Sequence, residues 1–210
     1  MLDNIELIAQ SAIRIKYKDK VIYFDPFKLK DNYKKDADII FITHPHYDHF
    51  STDDLLKIKK DDTKIVIPKE LEEEIKNLEF NDILLVKPEN TYKIGDIDFK
   101  TTYAYNIDKD FHKLEYEWVG YIINLDNKVI YVAGDTDNIP EIRNIKCDIA
   151  FVPIGGTYTM NYKEAVELIK EIKPKLAIPI HYYTIVGTKE DAIKFKELLS
   201  NIVSVEILMK

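Results

Sequence analysis

Apolar residues in this chain come in short runs that alternate with polar connections, a pattern that predicts many strands and few helices. Ile5-Glu6-Leu7-Ile8 and Ala12-Ile13-Arg14-Ile15-Lys16-Tyr17 form a first β pair, the second with polar residues at every other position. Lys18-Asp19-Lys20 is a turn, Val21 to Phe24 a strand stopped by Pro26, and Ile39-Ile40-Phe41-Ile42 the strand that follows a polar stretch. Ser51 or Thr52 caps a short helix with acids in its first turn and Leu55, Leu56 and Ile58 on its buried stripe. Lys57-Ile58-Lys59-Lys60 then marks its exposed carboxyl end, where cations suit the carbonyl terminus. Ile65 to Pro68 is a buried strand and Glu70 to Leu78 a second helix with its acids facing water. Strands at 82–86, 91–94 and 97–103 follow, the last two joined by a Gly95-Asp96 hairpin.

The second half continues in the same way. Trp118 to Ile123 and Val129 to Val132 pair around Leu125-Asp126-Asn127, and Ile149 to Ile154 is a buried strand closed by Gly155-Gly156. Asn161 caps a helix over 162–172 whose Ala165, Val166, Leu168 and Ile169 fall at helical spacing. Lys175 to Ile180 is a late strand, 192–199 the last helix and 203–207 the final strand. No internal repeat of fixed period is visible.

A length of 210 residues suits a single domain spanning 1–210. With 46% hydrophobic and 32% charged residues, the chain reads as globular rather than disordered. A net charge of -7 disfavours nucleic acid as the main partner, because phosphate binding rests on clustered Lys and Arg. The first residues lack a secretory pattern, no run is long enough to cross a membrane, and Cys147 is alone. The expectation is a cytoplasmic protein with a small-molecule substrate; nothing in the residues sets its oligomeric state.

The chemistry lies in Thr43-His44-Pro45-His46-Tyr47-Asp48-His49, which holds three of the chain's 5 histidines. Side chains two apart on an extended segment point the same way, so His44 and His46 can converge on one ion. Asp48 and His49 lie past a turn and can reach a second. Imidazole and carboxylate suit zinc and neighbouring metals, whereas closed structural zinc sites are rich in cysteine. Two further strand ends present Asp135, in Ala133-Gly134-Asp135-Thr136-Asp137, and His181. Asp25 is either a turn former or a carboxylate that orients a metal-binding histidine through its second ring nitrogen. Residues 106–112, from Asn106 to His112, are a polar loop that brings in another histidine.

His44-x-His46-x-Asp48-His49, Gly134-Asp135-Thr136-Asp137 and Ile178-Pro179-Ile180-His181-Tyr182 together resemble the metallo-β-lactamase superfamily, in an order similar to its lactonase-like branch. The resemblance spans nearly the whole chain. It implies an α/β fold, a four-layer αββα sandwich with a metal site along one edge. It also implies two divalent cations, zinc or alternatively manganese: His44 and His46 on the first, Asp48, His49 and His181 on the second, and Asp135 bridging. Relatives commonly carry a histidine where this chain has Asn106, so either that ligand is missing or His112 folds back to supply it.

The expected activity is hydrolysis of a small-molecule ester, lactone or phosphoester, with metal-bound hydroxide as nucleophile and Asp48 moving its proton. No G-x-S-x-G elbow competes with it. Two alternatives stand beside it, a nuclease of the same superfamily and a non-catalytic metal-binding protein with an incomplete site. Tyr103, Tyr105, Tyr158, Tyr182 and Tyr183 either line a pocket or belong to core and rim. Gly155-Gly156-Thr157 is either an anion nest or a tight turn.

Overall fold

A computed structural model describes residues 4–209. The backbone divides between Lys87 and Pro88 into two compact units, each built on one mixed sheet. The first sheet contains β1 (Ile5–Ala9), β2 (Ala12–Tyr17), β3 (Lys20–Phe24), β4 (Ala37–Phe41), β5 (Lys59–Pro68) and β6 (Asp82–Val86), side by side in chain order. β1 to β3 form an antiparallel meander, and from β3 onward neighbours run parallel. Helix α1 (Thr52–Ile58) contributes Leu55 and Ile58 to a core with Tyr23, Ile40, Ile42, Ile65 and Ile67. Alternate residues such as Ile22, Phe24, Ile39 and Phe41 are equally buried, which is why these strands read as continuous apolar runs.

The second sheet holds β7 (Thr91–Ile94), β8 (Ile97–Tyr103), β9 (Val119–Leu125), β10 (Lys128–Val132), β11 (Ile149–Pro153), β12 (Leu176–Ile180) and β13 (Ser204–Val205). β7 to β10 are antiparallel, and β10 to β13 parallel. Helices α2 (Tyr162–Ile172) and α3 (Lys189–Leu199) pack on each other. α2 buries Ala165, Val166, Leu168, Ile169 and Ile172.

The two sheets share a detailed plan that the sequence reading missed. Lys20-Val21-Ile22-Tyr23 opens β3 and Lys128-Val129-Ile130-Tyr131 opens β10. Each follows a two-residue hairpin whose first residue, Lys18 or Asp126, has positive φ. The Val21 amide donates to Asp38 Oδ2 at 2.7 Å, and the Val129 amide to Asp148 Oδ2 at 2.9 Å. Each aspartate begins the next parallel strand's apolar stretch, and each pairs with a lysine, Lys60 or Lys175. One hairpin and one carboxylate staple are thus built twice, with too little else in common to register as a repeat of fixed period.

Several expected elements differ. Residues 70–78 form two 3-10 segments, Lys69–Glu72 and Glu74–Leu78, rather than one α-helix. Leu71, Ile75 and Leu78 are buried as the pattern requires, but neither segment has a side chain capping its first amides, so nothing offsets the cost of starting a full α-helix. Leu56 is 48% exposed, since the buried stripe of α1 runs through Asp54, Leu55 and Ile58. Asp54 is buried in that stripe, where it accepts the Leu29 amide and pairs with Lys57. Lys59 and Lys60 start β5 instead of ending the helix. α3 begins three residues earlier than 192, at Lys189, because Thr188 and Asp191 form a capping box. The last strand is confined to Ser204–Val205.

Candidate metal centre

Asp25, His44, Asp135 and His181 all lie just beyond the carboxyl ends of parallel strands, respectively β3, β4, β10 and β12. A sheet holds such ends rigidly while the loops they start stay open to ligands. In the first unit, β4 runs through Ile42 and Thr43 into the histidine loop, which turns back on itself as the His49 and Phe50 amides both donate to the His46 carbonyl. His44 Nε2 stands 3.1 Å from His46 Nδ1. His49 Nε2 stands 3.5 Å from Asp48 Oδ2. His44, Asp48 and His49 are buried, and His46 is half-buried.

Asp25 settles which ring nitrogens face outward. Fully buried and at φ 43°, it accepts the Thr43 amide on Oδ1 at 2.8 Å and the Thr43 hydroxyl on Oδ2 at 2.7 Å. His49 Nδ1 lies 2.7 Å from the same Oδ2 and therefore donates to it. Having given its proton to Asp25, the Thr43 hydroxyl accepts from His44 Nδ1 at 2.9 Å. Both imidazoles thus carry their proton on Nδ1 and present a lone pair on Nε2, the division expected of metal-ligating histidines. Of the two readings of Asp25, the geometry supports the orienting carboxylate. Burial pushes the Asp25 carboxyl above its ordinary range, with His49 pulling it back.

In the second unit a matching cluster centres on Asp135. His181 Nε2 lies 2.9 Å and His112 Nε2 3.4 Å from Asp135 Oδ2. His112 thus stands beside Asp135, and Asn106 is committed elsewhere. The Asn106 amide nitrogen donates to Asp137 Oδ1 at 3.2 Å and to the Tyr158 carbonyl at 2.9 Å. Its Oδ1 is left to accept from His112 Nδ1 at 3.0 Å, so Asn106 sets the tautomer that aims His112 Nε2 at Asp135. Lys109 ion-pairs with Asp137 and donates to the Thr159 carbonyl, which fixes the far end of this chain. His181 has a left-handed backbone at φ 54°. Gly155 makes room for it, since a Cβ there would collide with the His181 carbonyl and lie 2.7 Å from Val186 Cγ2.

Other candidates acquire plainer roles. The Gly156 amide already donates to the Met160 carbonyl at 3.0 Å, so the glycine pair is a tight turn rather than an anion nest. Tyr182 is buried, and burial raises its phenol to about 12. Tyr183 is 52% exposed beneath Lys189, and Tyr105 bonds Glu141 at the surface. Burial raises the Cys147 thiol to about 12, which makes it a poor nucleophile. Sequence reasoning missed Gln10: it is fully buried in the β1–β2 turn, and its amide donates to Asp48 Oδ2 at 3.1 Å. No local motif marks it. Among the described residues, no helix is long and apolar enough to cross a membrane.

The family model for the beta-lactamase superfamily domain matches residues 4–181. A protein of Thermoplasma volcanium named as a metal-dependent hydrolase is 32% identical over 201 residues, covering 91% of this chain and 89% of the relative. A crystal structure from Parabacteroides distasonis, described as a candidate metal-dependent hydrolase, superposes with a TM-score of 0.85 at 29% identity, over 98% of this chain and 93% of that one. A metallo hydrolase from Ignicoccus hospitalis shares the fold at a TM-score of 0.81 and 23% identity, over 97% and 93% of the two chains. The chain belongs to the metallo-β-lactamase superfamily, has its α/β fold, and is a metal-dependent hydrolase.

Proposed function

We propose that the two histidine clusters serve one pair of divalent cations, zinc or manganese, and that the protein hydrolyses an ester, lactone or phosphoester of a small metabolite. The observation that carries this reading is the spacing of the donor atoms. Ligands of a tetrahedral ion with bonds of about 2.1 Å stand about 3.4 Å apart. The separations here are 2.9, 3.1, 3.4 and 3.5 Å. The donors fit as well, because imidazole and carboxylate without thiolate suit zinc and manganese rather than soft ions.

In this reading, which follows the superfamily resemblance, His44, His46 and His112 would hold one ion, Asp48, His49 and His181 the other, with Asp135 serving both. Bound cations make water acidic enough to ionise near neutrality and polarise the bond under attack. The remaining work falls to the chain. Asp25, Thr43 and Asn106 keep the imidazoles in the ligating tautomer, and Asp48 orients the attacking water and takes up its proton. The order of Asp25-Pro26, the histidine motif, Gly134-Asp135-Thr136-Asp137 and His181 supports the lactonase-like branch.

Emission spectroscopy on protein purified without chelator is expected to find about two equivalents of zinc or manganese. On a substrate found by screening esters, lactones and phosphodiesters, Asp48→Ala is expected to lower kcat/KM by about a hundredfold or more. Less than one equivalent of metal, or full activity in Asp48→Ala, would overturn the reading.

A further inference from the structure

Gln10 sits where hairpin chemistry asks for another residue. It is the first of the two residues joining β1 to β2, and its backbone has φ 50°. Glycine or asparagine adopts that conformation at little cost, and an unbranched long side chain gains nothing from it. Gln10 is nevertheless fully buried, so the turn does not place it there for solubility. The exposed Lys18 and Asp126 share that backbone at the same place in their own hairpins, so what is particular to Gln10 is its complete burial beside a buried carboxylate. That carboxylate belongs to Asp48: Gln10 Nε2 donates to Asp48 Oδ2 at 3.1 Å, and that oxygen is the one 3.5 Å from His49 Nε2.

We propose that Gln10 is a positioning residue of the metal centre, holding the Asp48 carboxylate in register with His49 for cation binding. The chemistry of the donor matters. Arginine or lysine would hold the carboxylate more strongly, but would set a fixed positive charge beside a place that must accept cations. A neutral carboxamide fixes the rotamer and leaves the carboxylate's charge to the ion. Asp48 lies on a loop that has left its strand, and Gln10 ties it to the hairpin of a neighbouring part of the same sheet. The inference rests on the reading of Asp48 as a ligand.

The test uses cobalt(II) as the probe, read by its visible absorption and by competition with a chelator. Gln10→Met keeps the side chain's length and removes the donor. It is expected to weaken binding of one cobalt equivalent by about tenfold or more, the usual cost of losing an outer-shell partner, and to alter that ion's absorption band. In an Asp48→Ala background, where the acceptor is gone, the same change is expected to have no further effect, because Gln10 acts through Asp48. Wild-type affinity and spectrum in Gln10→Met would overturn the inference while leaving the metal reading intact. Absence of cobalt binding in the unsubstituted protein would overturn both. Should Gln10→Met not fold, Gln10→Asn suits the left-handed backbone but is one methylene short of Asp48, and it is judged by the same criteria.

Discussion

Asp25 and His181 each follow a strand in a left-handed conformation that glycine adopts most readily. At His181 the backbone is accommodated by a second residue, Gly155, whose missing side chain lets the His181 carbonyl and the Val186 methyl approach. The obstruction would come from backbone, which yields less than a flexible side chain. Gly155→Ala is therefore expected to cost about 1 to 3 kcal/mol as overpacking, or about 2 to 12 °C of Tm for a chain of this size. Calorimetry checks it, and an unchanged Tm would show that the loop gives way freely. The ligand candidates were legible because H-x-H-x-D-H places its donors by simple strand periodicity and sits directly after an apolar run. Gln10, Thr43 and Asn106 were not legible as outer partners, since their roles are set by hydrogen bonds that only the folded backbone brings together and no local motif marks. Asp25 and His112 fell between, each visible as a candidate with its role set only by what it touches.

At the scale of elements, the doubled hairpin shows a stabilising device used in both sheets. Asp148 accepts the Val129 amide, and its ion pair with Lys175 and that hydrogen bond hold its carboxyl below the usual range. The folded pKa therefore lies below the unfolded value of about 3.9, so the stabilisation is present above that value and is lost as pH falls through the folded one. Asparagine resembles the protonated acid. Asp148→Asn is expected to lower stability at pH 7 by about 0.5 to 1 kcal/mol, discounted for the exposure of Lys175. In urea melts the difference should shrink as pH is lowered below about 3.9; a constant difference would assign the effect to packing instead. Strands were read well here because the parallel ones are buried on both sides and so apolar without interruption. Residues 70–78 were misread because Leu71, Ile75 and Leu78 have helical spacing, while no side chain caps the first turn of either segment. Periodicity reports burial, and the caps at the ends decide which helix meets it.

For the whole molecule, a metal centre in this fold is also a stability term. Cations that bind the folded chain and not the unfolded one stabilise it by RT ln(1 + [L]/Kd), about 4 kcal/mol at a free concentration a thousand times Kd. The histidine tautomers are set by Asp25, Thr43 and Asn106, so the folded chain offers shaped ligands and the unfolded chain does not. Many strands with few helices were foreseeable from the strand pattern, and the superfamily with its two sheets from the motifs. The doubled plan was not, because four matching residues more than a hundred positions apart are too short a similarity to stand out from chance. Chelation is expected to lower Tm by about 8 to 16 °C, with recovery on adding zinc or manganese, in calorimetry at constant protein concentration. Because Asp135 sits within 3.4 Å of both His112 and His181, Asp135→Asn should make the Tm nearly insensitive to chelator if the proposed ions share it. A Tm unmoved by chelation in the unsubstituted protein would mean that the histidine clusters hold no ion in the folded state.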